Sequence, residues 1–196
     1  MPSVDVATPR SVRKKNAVRL DFSHVGFFVH DLPKMVDFYT RVLGFTITDR
    51  GFVRGDEIVF TSWNPDEHHQ VILVAGRQGP PNFNHINQLS FRVQSIEELQ
   101  SVWRTVRDEP GASNLRPVDH GNAWSLYFLD PEGNRIEIFC DSEWYVEQPC
   151  LEDLDLSLPP DEIRRRSEEF CRTAPGFKPV AAFRAEVAAK IKSGDL

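Results

Sequence analysis

The sequence predicts an α+β fold: two βαβββ units paired into one curved mixed sheet or half-barrel, with a helical extension at the C-terminus. Three observations carry this. Ser23-His24-Val25-Gly26-Phe27-Phe28-Val29 aligns without a gap on Asn87-Gln88-Leu89-Ser90-Phe91-Arg92-Val93, 64 residues later. Each run is followed by a segment with helical spacing, then by three short runs that read as strands. Turn chemistry falls at matching places, Asn64-Pro65 in the first half answering Asp130-Pro131 in the second. A repeat of one supersecondary unit outweighs any single propensity. Neither unit can bury its apolar face alone, so the two must share a core and turn their end strands toward a common cavity.

Taken in order, residues 1–20 read as a flexible basic arm with Asp5 as its one acid. The paired domain spans 21–141, with units 21–77 and 86–141. Ser23–Val29 is the first strand, and Asp31 is an N-cap candidate with Pro33 in the first helical turn. Met35, Val36, Phe38, Tyr39, Val42 and Leu43 recur at helical spacing as far as Gly44. Thr46–Thr48, Glu57–Trp63 and His69–Val74 are strands divided by turns at Arg50-Gly51 and Asn64-Pro65-Asp66. The second unit repeats this with a helix over Ile96–Val106 and strands over Pro117–His120, Trp124–Phe128 and Arg135–Phe139. Residues 142–196 hold an extended Pro- and acid-rich wrap, then amphipathic helices over Asp161–Cys171 and Pro179–Ile191. These are expected to cover the sheet or a partner subunit.

With 196 residues and 40% hydrophobic content, the chain can bury one good core. Its net charge of −6 argues against a dedicated nucleic-acid partner. No apolar run approaches the roughly 18–20 residues that span a bilayer. Three cysteines without CxxC spacing give no disulfide framework or zinc knuckle, and read as free thiols in a reducing, cytoplasmic setting.

The last hairpin, Tyr127 to Phe139, concentrates the chemistry. Ile136 and Ile138 are expected in the core, which puts Glu137 and Phe139 on the opposite face. A carboxylate within an apolar strand is either a solvated edge residue or a group with a partner, because burying it alone is costly.

The first strand SHVGFFVHDL, the helix ending FYTRVLGF and the hairpin YFLDPEGNRIEIF resemble the vicinal oxygen chelate superfamily. That group includes glyoxalases, bleomycin- and fosfomycin-resistance proteins and extradiol ring-cleavage dioxygenases, and the last of these is the most similar. The resemblance covers roughly residues 20–141 and implies a metal held by His24, Gln88 and Glu137. It further implies His69 as acid–base residue, Tyr127 as a neighbouring donor, and His120 as a pocket histidine displaced by two residues from the usual spacing. Fe(II) is the expected ion, and manganese, zinc or nickel are the other divalent ions considered. Gln88 departs from the dioxygenase pattern, which has histidine there. A glyoxalase-type four-ligand site is not evident, since Gln70 or Val71 stands where its additional glutamate would be.

The expected function is non-haem Fe(II)-dependent cleavage of a catechol-like aromatic diol by O2, in a homodimer. Two alternatives keep the fold: a glyoxalase- or isomerase-type metal enzyme working by proton transfer, and a metal-free protein that binds an aromatic ligand. Residue by residue, a core or edge histidine remains the alternative at His24, a structural amide at Gln88 and a half-buried strand aromatic at Tyr127. Trp63, Trp124, Phe60 and Phe139 are expected as core and pocket wall.

Overall fold

A computed structural model describes residues 20–80 and 85–193. The N-terminal arm, residues 1–19, lies outside the described residues.

The first unit contains β1 (Val25–Val29), α1 (Leu32–Asp37), β2 (Thr46–Val53), β3 (Asp56–Ser62) and β4 (Val71–Ala75). Asp31 caps α1 through its side chain, which accepts from the Lys34 N–H, and a π-helical turn over Phe38–Val42 extends the helix. Gly44 then ends it at φ 76°. A Cβ there would stand 2.6 Å from the Trp63 ring, so both the backbone angle and the contact demand glycine. Trp63 itself is 64% exposed rather than core: its indole N–H donates to the Leu43 carbonyl at the open end of the helix.

The second unit contains β5 (Leu89–Arg92), α2 (Ile96–Arg107), β6 (Ser113–Asp119), β7 (Ala123–Leu129) and β8 (Arg135–Asp141). Short strands β9 (Trp144–Tyr145) and β10 (Glu152–Asp153), helix α3 (Pro160–Cys171), β11 (Lys178–Pro179) and helix α4 (Val180–Ser193) follow.

The two units give one sheet each, with mixed strand orientation and no closed barrel: β1-β4-β3-β2, and β5-β8-β7-β6 extended by β10. In both, the first strand runs parallel to the last (β1 with β4, β5 with β8) and the other ladders are antiparallel. Val29, Leu73, Leu126, Phe128, Ile136 and Ile138 belong to one core that also takes in Met35, Phe38 and Tyr39 of the first helical segment and Leu99 and Val106 of α2. The units are joined by a buried polar seam. Glu132 accepts from the backbone N–H groups of His30 and Asp31, and pairs with Arg77 at 3.3 Å. Tyr39 donates to Asp130, and at the exposed rim of the seam Arg41 pairs with Glu109.

Three expectations about elements need correction. β2 is longer than predicted and passes straight through Arg50-Gly51; the turn falls at Arg54-Gly55, where both residues have positive φ. β4 begins at Val71, so His69 stands in the loop ahead of it rather than on the strand. Helix α4 buries no side chain and attaches through the Phe183 ring stacked on Tyr145 at 3.8 Å. The three cysteines are free, as expected. Among the described residues no helix is long and apolar enough to cross a membrane.

Candidate functional site

Strand alternation places Glu137 on the face opposite Ile136 and Ile138, as the sequence required. It is nevertheless 8% exposed, so its carboxylate must be satisfied from within. Four neutral groups do this. Gln88 Nε2 (2.7 Å) and Ser90 Oγ (2.5 Å) donate to one oxygen, and Ser125 Oγ (2.8 Å) and Tyr127 OH (2.5 Å) to the other. The register explains the set. Ser90 and Tyr127 are the direct cross-strand partners of Glu137 on β5 and β7, and Ser125 lies two residues from Tyr127 on the same face. Four donors match the four lone-pair positions of a carboxylate. Ser90 and Ser125 were not anticipated from the sequence; their signal was a hydroxyl at period two from Gln88 and from Tyr127.

Tyr127 leads outward to the C-terminal wrap. Its hydroxyl lies 2.9 Å from His120 Nε2, and His120 Nδ1 lies 2.7 Å from the Cys150 carbonyl. That carbonyl can only accept, so Nδ1 carries a proton. Tyr127 has one hydroxyl proton for two neighbours. When that proton points to Glu137, His120 Nε2 must itself donate; when it points to His120, Glu137 must donate. Glu137, Tyr127 and His120 therefore form a chain along which a proton can pass. Burial first, then the bond and charge of Glu137, push the Tyr127 hydroxyl up to about 12, so it stays a phenol at ordinary pH.

The other candidates gather in the first unit. His24 immediately precedes β1, and its ring meets that of His69 edge-on with centroids 4.3 Å apart. His68 Nδ1 is 2.8 Å from His69 Nδ1, and Phe60 packs 5.2 Å from the His69 ring. His69 is held below the usual histidine range, by burial first and then by His24 and His68, with Glu67 opposing. A base that stays neutral near pH 7 is the form needed to take a proton.

The structure thus joins His24 to His69, and Gln88, Glu137, Tyr127 and His120 to one another. Among the described residues no hydrogen bond or ring contact links the two sets, and no three His, Cys, Asp or Glu side chains group to hold an ion. The proposed donor set contains only two residues of those types, because an amide replaces the second imidazole. Chemically it fits a divalent ion: imidazole nitrogen, amide oxygen and carboxylate are ligands for Fe, Mn and their neighbours. Glu137 has no Lys or Arg partner among the described residues, so a cation would match a buried negative charge. Ligation by Gln88 would require its amide to turn, since it now presents Nε2 to Glu137.

Two cavities accompany these groups. One, of about 350 Å3, lies between the wrap and α3, with Asp119 and Phe170 on its wall and no member of either set in its lining. The other, of about 850 Å3, lies against β1 and the start of β8, with Phe28, Ile86 and Arg135 on its wall.

Residues 21–138 match the family described as the Glyoxalase/Bleomycin resistance protein/Dioxygenase superfamily. The chain is 26% identical over 142 residues to a metapyrocatechase of Pseudomonas sp. (strain CF600), covering 70% of this chain and 44% of that protein. It is 28% identical over 129 residues to a biphenyl-2,3-diol 1,2-dioxygenase of Rhodococcus globerulus, covering 61% and 63%. The chain thus spans only about half the length of the curated relatives it matches. Among solved structures it is similar to a glyoxalase/bleomycin resistance protein/dioxygenase domain from Frankia sp. EAN1pec, with TM-score 0.55, 21% identity, and coverage of 63% and 99%. It is also similar to the fosfomycin resistance protein FosX of Listeria monocytogenes, whose structure holds Mn(II) and sulfate, with TM-score 0.51, 16% identity, and coverage of 64% and 95%. At such identities the structural likeness speaks for the fold alone. With the doubled βαβββ architecture and a match over more than half its length, the chain belongs to the glyoxalase/bleomycin resistance/dioxygenase superfamily.

Proposed function

We propose that the protein is an extradiol-type dioxygenase that opens a catechol-like ring with O2, using a divalent metal, Fe(II) first, held by His24, Gln88 and Glu137. The observation that supports this most is the buried Glu137 carboxylate, which among the described residues has no Lys or Arg beside it and is wired through Tyr127 to His120. One of the curated relatives is named a biphenyl-2,3-diol 1,2-dioxygenase, which points the same way. The ion would supply Lewis acidity and a meeting point for diol and O2. The chain's own residues supply the proton handling. His69, kept neutral by burial and by its two neighbouring imidazoles, takes a phenolic proton from the diol. The Glu137–Tyr127–His120 chain offers or withdraws a proton on the opposite side, and the Cys150 carbonyl holds the His120 ring in place.

Protein prepared anaerobically with Fe(II) should consume O2 with at least one simple catechol and give a coloured ring-opened product, and His69→Ala should lower that rate by about 10²-fold or more. No uptake with any catechol sinks the reading. A second reading rests on a specific observation, the four neutral donors to Glu137, which satisfy the carboxylate without any ion. In that case the protein is a metal-free aromatic-binding member, and protein purified without chelators would carry less than a stoichiometric amount of any transition metal.

A further inference from the structure

His120 stands in the turn between β6 and β7, and the chain after β8 grips that turn. Ser142 donates from its N–H to the Asn122 carbonyl and from its hydroxyl to the Gly121 carbonyl. Gly121 has φ 73°, and a Cβ on it would run into the Val146 side chain, so the wrap lies directly against the turn. Gln148 completes the grip with both ends of its amide. Nε2 donates to the His120 carbonyl at 2.8 Å and to the Val146 carbonyl at 3.4 Å, while Oε1 accepts from the Cys150 N–H at 3.2 Å. One side chain thus ties the His120 backbone to both ends of the segment 146–150. On the far side of Cys150, β10 pairs with β6, Glu152 standing opposite Asp119. The Cys150 carbonyl that lies 2.7 Å from His120 Nδ1 is therefore anchored from both directions.

We propose that Gln148 is a positioning residue for His120: it seats the Cys150 carbonyl against Nδ1 and so keeps Nε2 available to Tyr127. The consequence lies in the tautomer. A neutral imidazole carries its proton on one nitrogen or the other, and a carbonyl opposite Nδ1 selects the form with the proton there. Nε2 then has a lone pair toward the Tyr127 hydroxyl, 2.9 Å away, and is able to take that proton and return it. Released from the carbonyl, the ring gains the form with its proton on Nε2, which only donates to Tyr127 and closes the chain to Glu137. Gln148 lies beyond the residues 21–138 that match the family, so the wrap is a working part of the site as well as a cover for the sheet. The inference rests on the dioxygenase reading for the reaction it serves, and on geometry alone for the seat of the ring.

Long-range 1H–15N spectra of the chelator-treated full chain read which nitrogen of His120 is protonated, and in wild type Nδ1 should be. Gln148→Met keeps the length of the side chain and removes all three bonds. It should lower the ratio of the Nδ1–H form to the Nε2–H form by about fivefold or more. Gln148→Asn, whose amide is one methylene too short to bridge the segment, should shift the ratio the same way. Gln148 is exposed, so both variants should stay folded, which thermal melts verify. With Fe(II) and a catechol, Gln148→Met should lower kcat for O2 uptake by about fivefold with KM little changed, since proton handling and not binding is altered. A bare Nδ1 in wild type, a ratio unchanged in both variants, or a shifted ratio with kcat unmoved overturns the proposal. A shifted ratio in protein that consumes no O2 with any catechol leaves Gln148 as the residue that seats His120 and removes the dioxygenase reading. O2 uptake by wild type, with a ratio that neither variant moves, removes this inference alone.

Discussion

His24 and Gln88 hold the same place in their units, one residue ahead of the first strand of each, yet their surroundings differ. His24 is exposed, with a 3.3 Å contact to Ser23 and the edge of the His69 ring as its neighbours. Gln88 is half-buried and bonded into a closed network around Glu137. The difference follows from what each side must stabilise. A carboxylate on a central strand needs donors on both flanking strands, so the second unit is fixed by folding itself. Three imidazoles, one just ahead of β1 and two in the β3–β4 loop, need no such support; Phe60 packs on His68 and His69, and His69 meets His24. The second unit therefore carries a rigid half of the candidate site and the first unit an adaptable half.

The largest expected effect breaks this comparison directly. Glu137→Ala leaves the donors of Gln88, Ser90, Ser125 and Tyr127 without their acceptor in a buried place, and should cost about 2–4 kcal/mol in urea unfolding. His24→Ala, at an exposed site, should stay within about 0.5 kcal/mol. Equal losses would mean that the two halves are built alike. Gln88→His comes next: an imidazole in place of the amide should tighten Mn(II) or Ni(II) binding by about tenfold in calorimetry. It should also lose about 1 kcal/mol of stability with the bond to Glu137. Unchanged metal affinity would take Gln88 out of the donor set.

A smaller effect tests the link to the wrap. Tyr127→Phe removes one of four donors to Glu137 and the bridge to His120, for about 1 kcal/mol. If His120 is held chiefly by the Cys150 carbonyl, its ring NMR signals should shift without broadening. Marked broadening would show that Tyr127, and not the wrap, positions the imidazole.

How much of this was legible beforehand varies by element, and the reasons are physical. The doubled unit was readable because strand and helix periods survive in both copies, and the Ile136/Ile138 alternation fixed the face of Glu137. The β2–β3 hairpin was misplaced because Arg-Gly occurs twice, at Arg50-Gly51 and Arg54-Gly55, with the same local chemistry. Only the ladder decides between them: Gly51 pairs with Ile58, which commits the first Arg-Gly to the strand and leaves the turn to Arg54 at φ 55°. His69 fell outside β4 because the ladder ends at Gln70, whose N–H still donates to the Thr61 carbonyl and whose carbonyl accepts from the Val25 N–H, while its side-chain carbonyl accepts from the backbone N–H groups of Trp63 and Asn64 in the preceding turn. Ser90 and Ser125 went unnoticed beside Tyr127, because a hydroxyl two residues along a strand becomes a signal only once it is set against the face of Glu137. The Cys150 carbonyl could not be read at all, since a backbone acceptor 30 residues away leaves no side-chain pattern.

The subtlest test concerns the adaptable half. His69 is harder to protonate in the folded chain than in the unfolded one, through burial and through the charges that His24 and His68 would acquire, partly offset by Glu67; Asp49 lies 3.9 Å from His68 at the edge of the group. A histidine whose folded value is depressed binds fewer protons in the native state. Its contribution to stability is therefore present above the unfolded value near 6.5 and is lost as pH falls through the folded one. In chelator-treated protein, an NMR titration should show His69 titrating below an ordinary histidine, and His24→Ala should move it upward by removing one of the two repelling imidazoles. The same variant should flatten the loss of stability on the acid side by a few tenths of a kcal/mol. A His69 value unmoved by His24→Ala would mean that burial against Phe60 alone sets it, and that the two rings touch without sharing their charge.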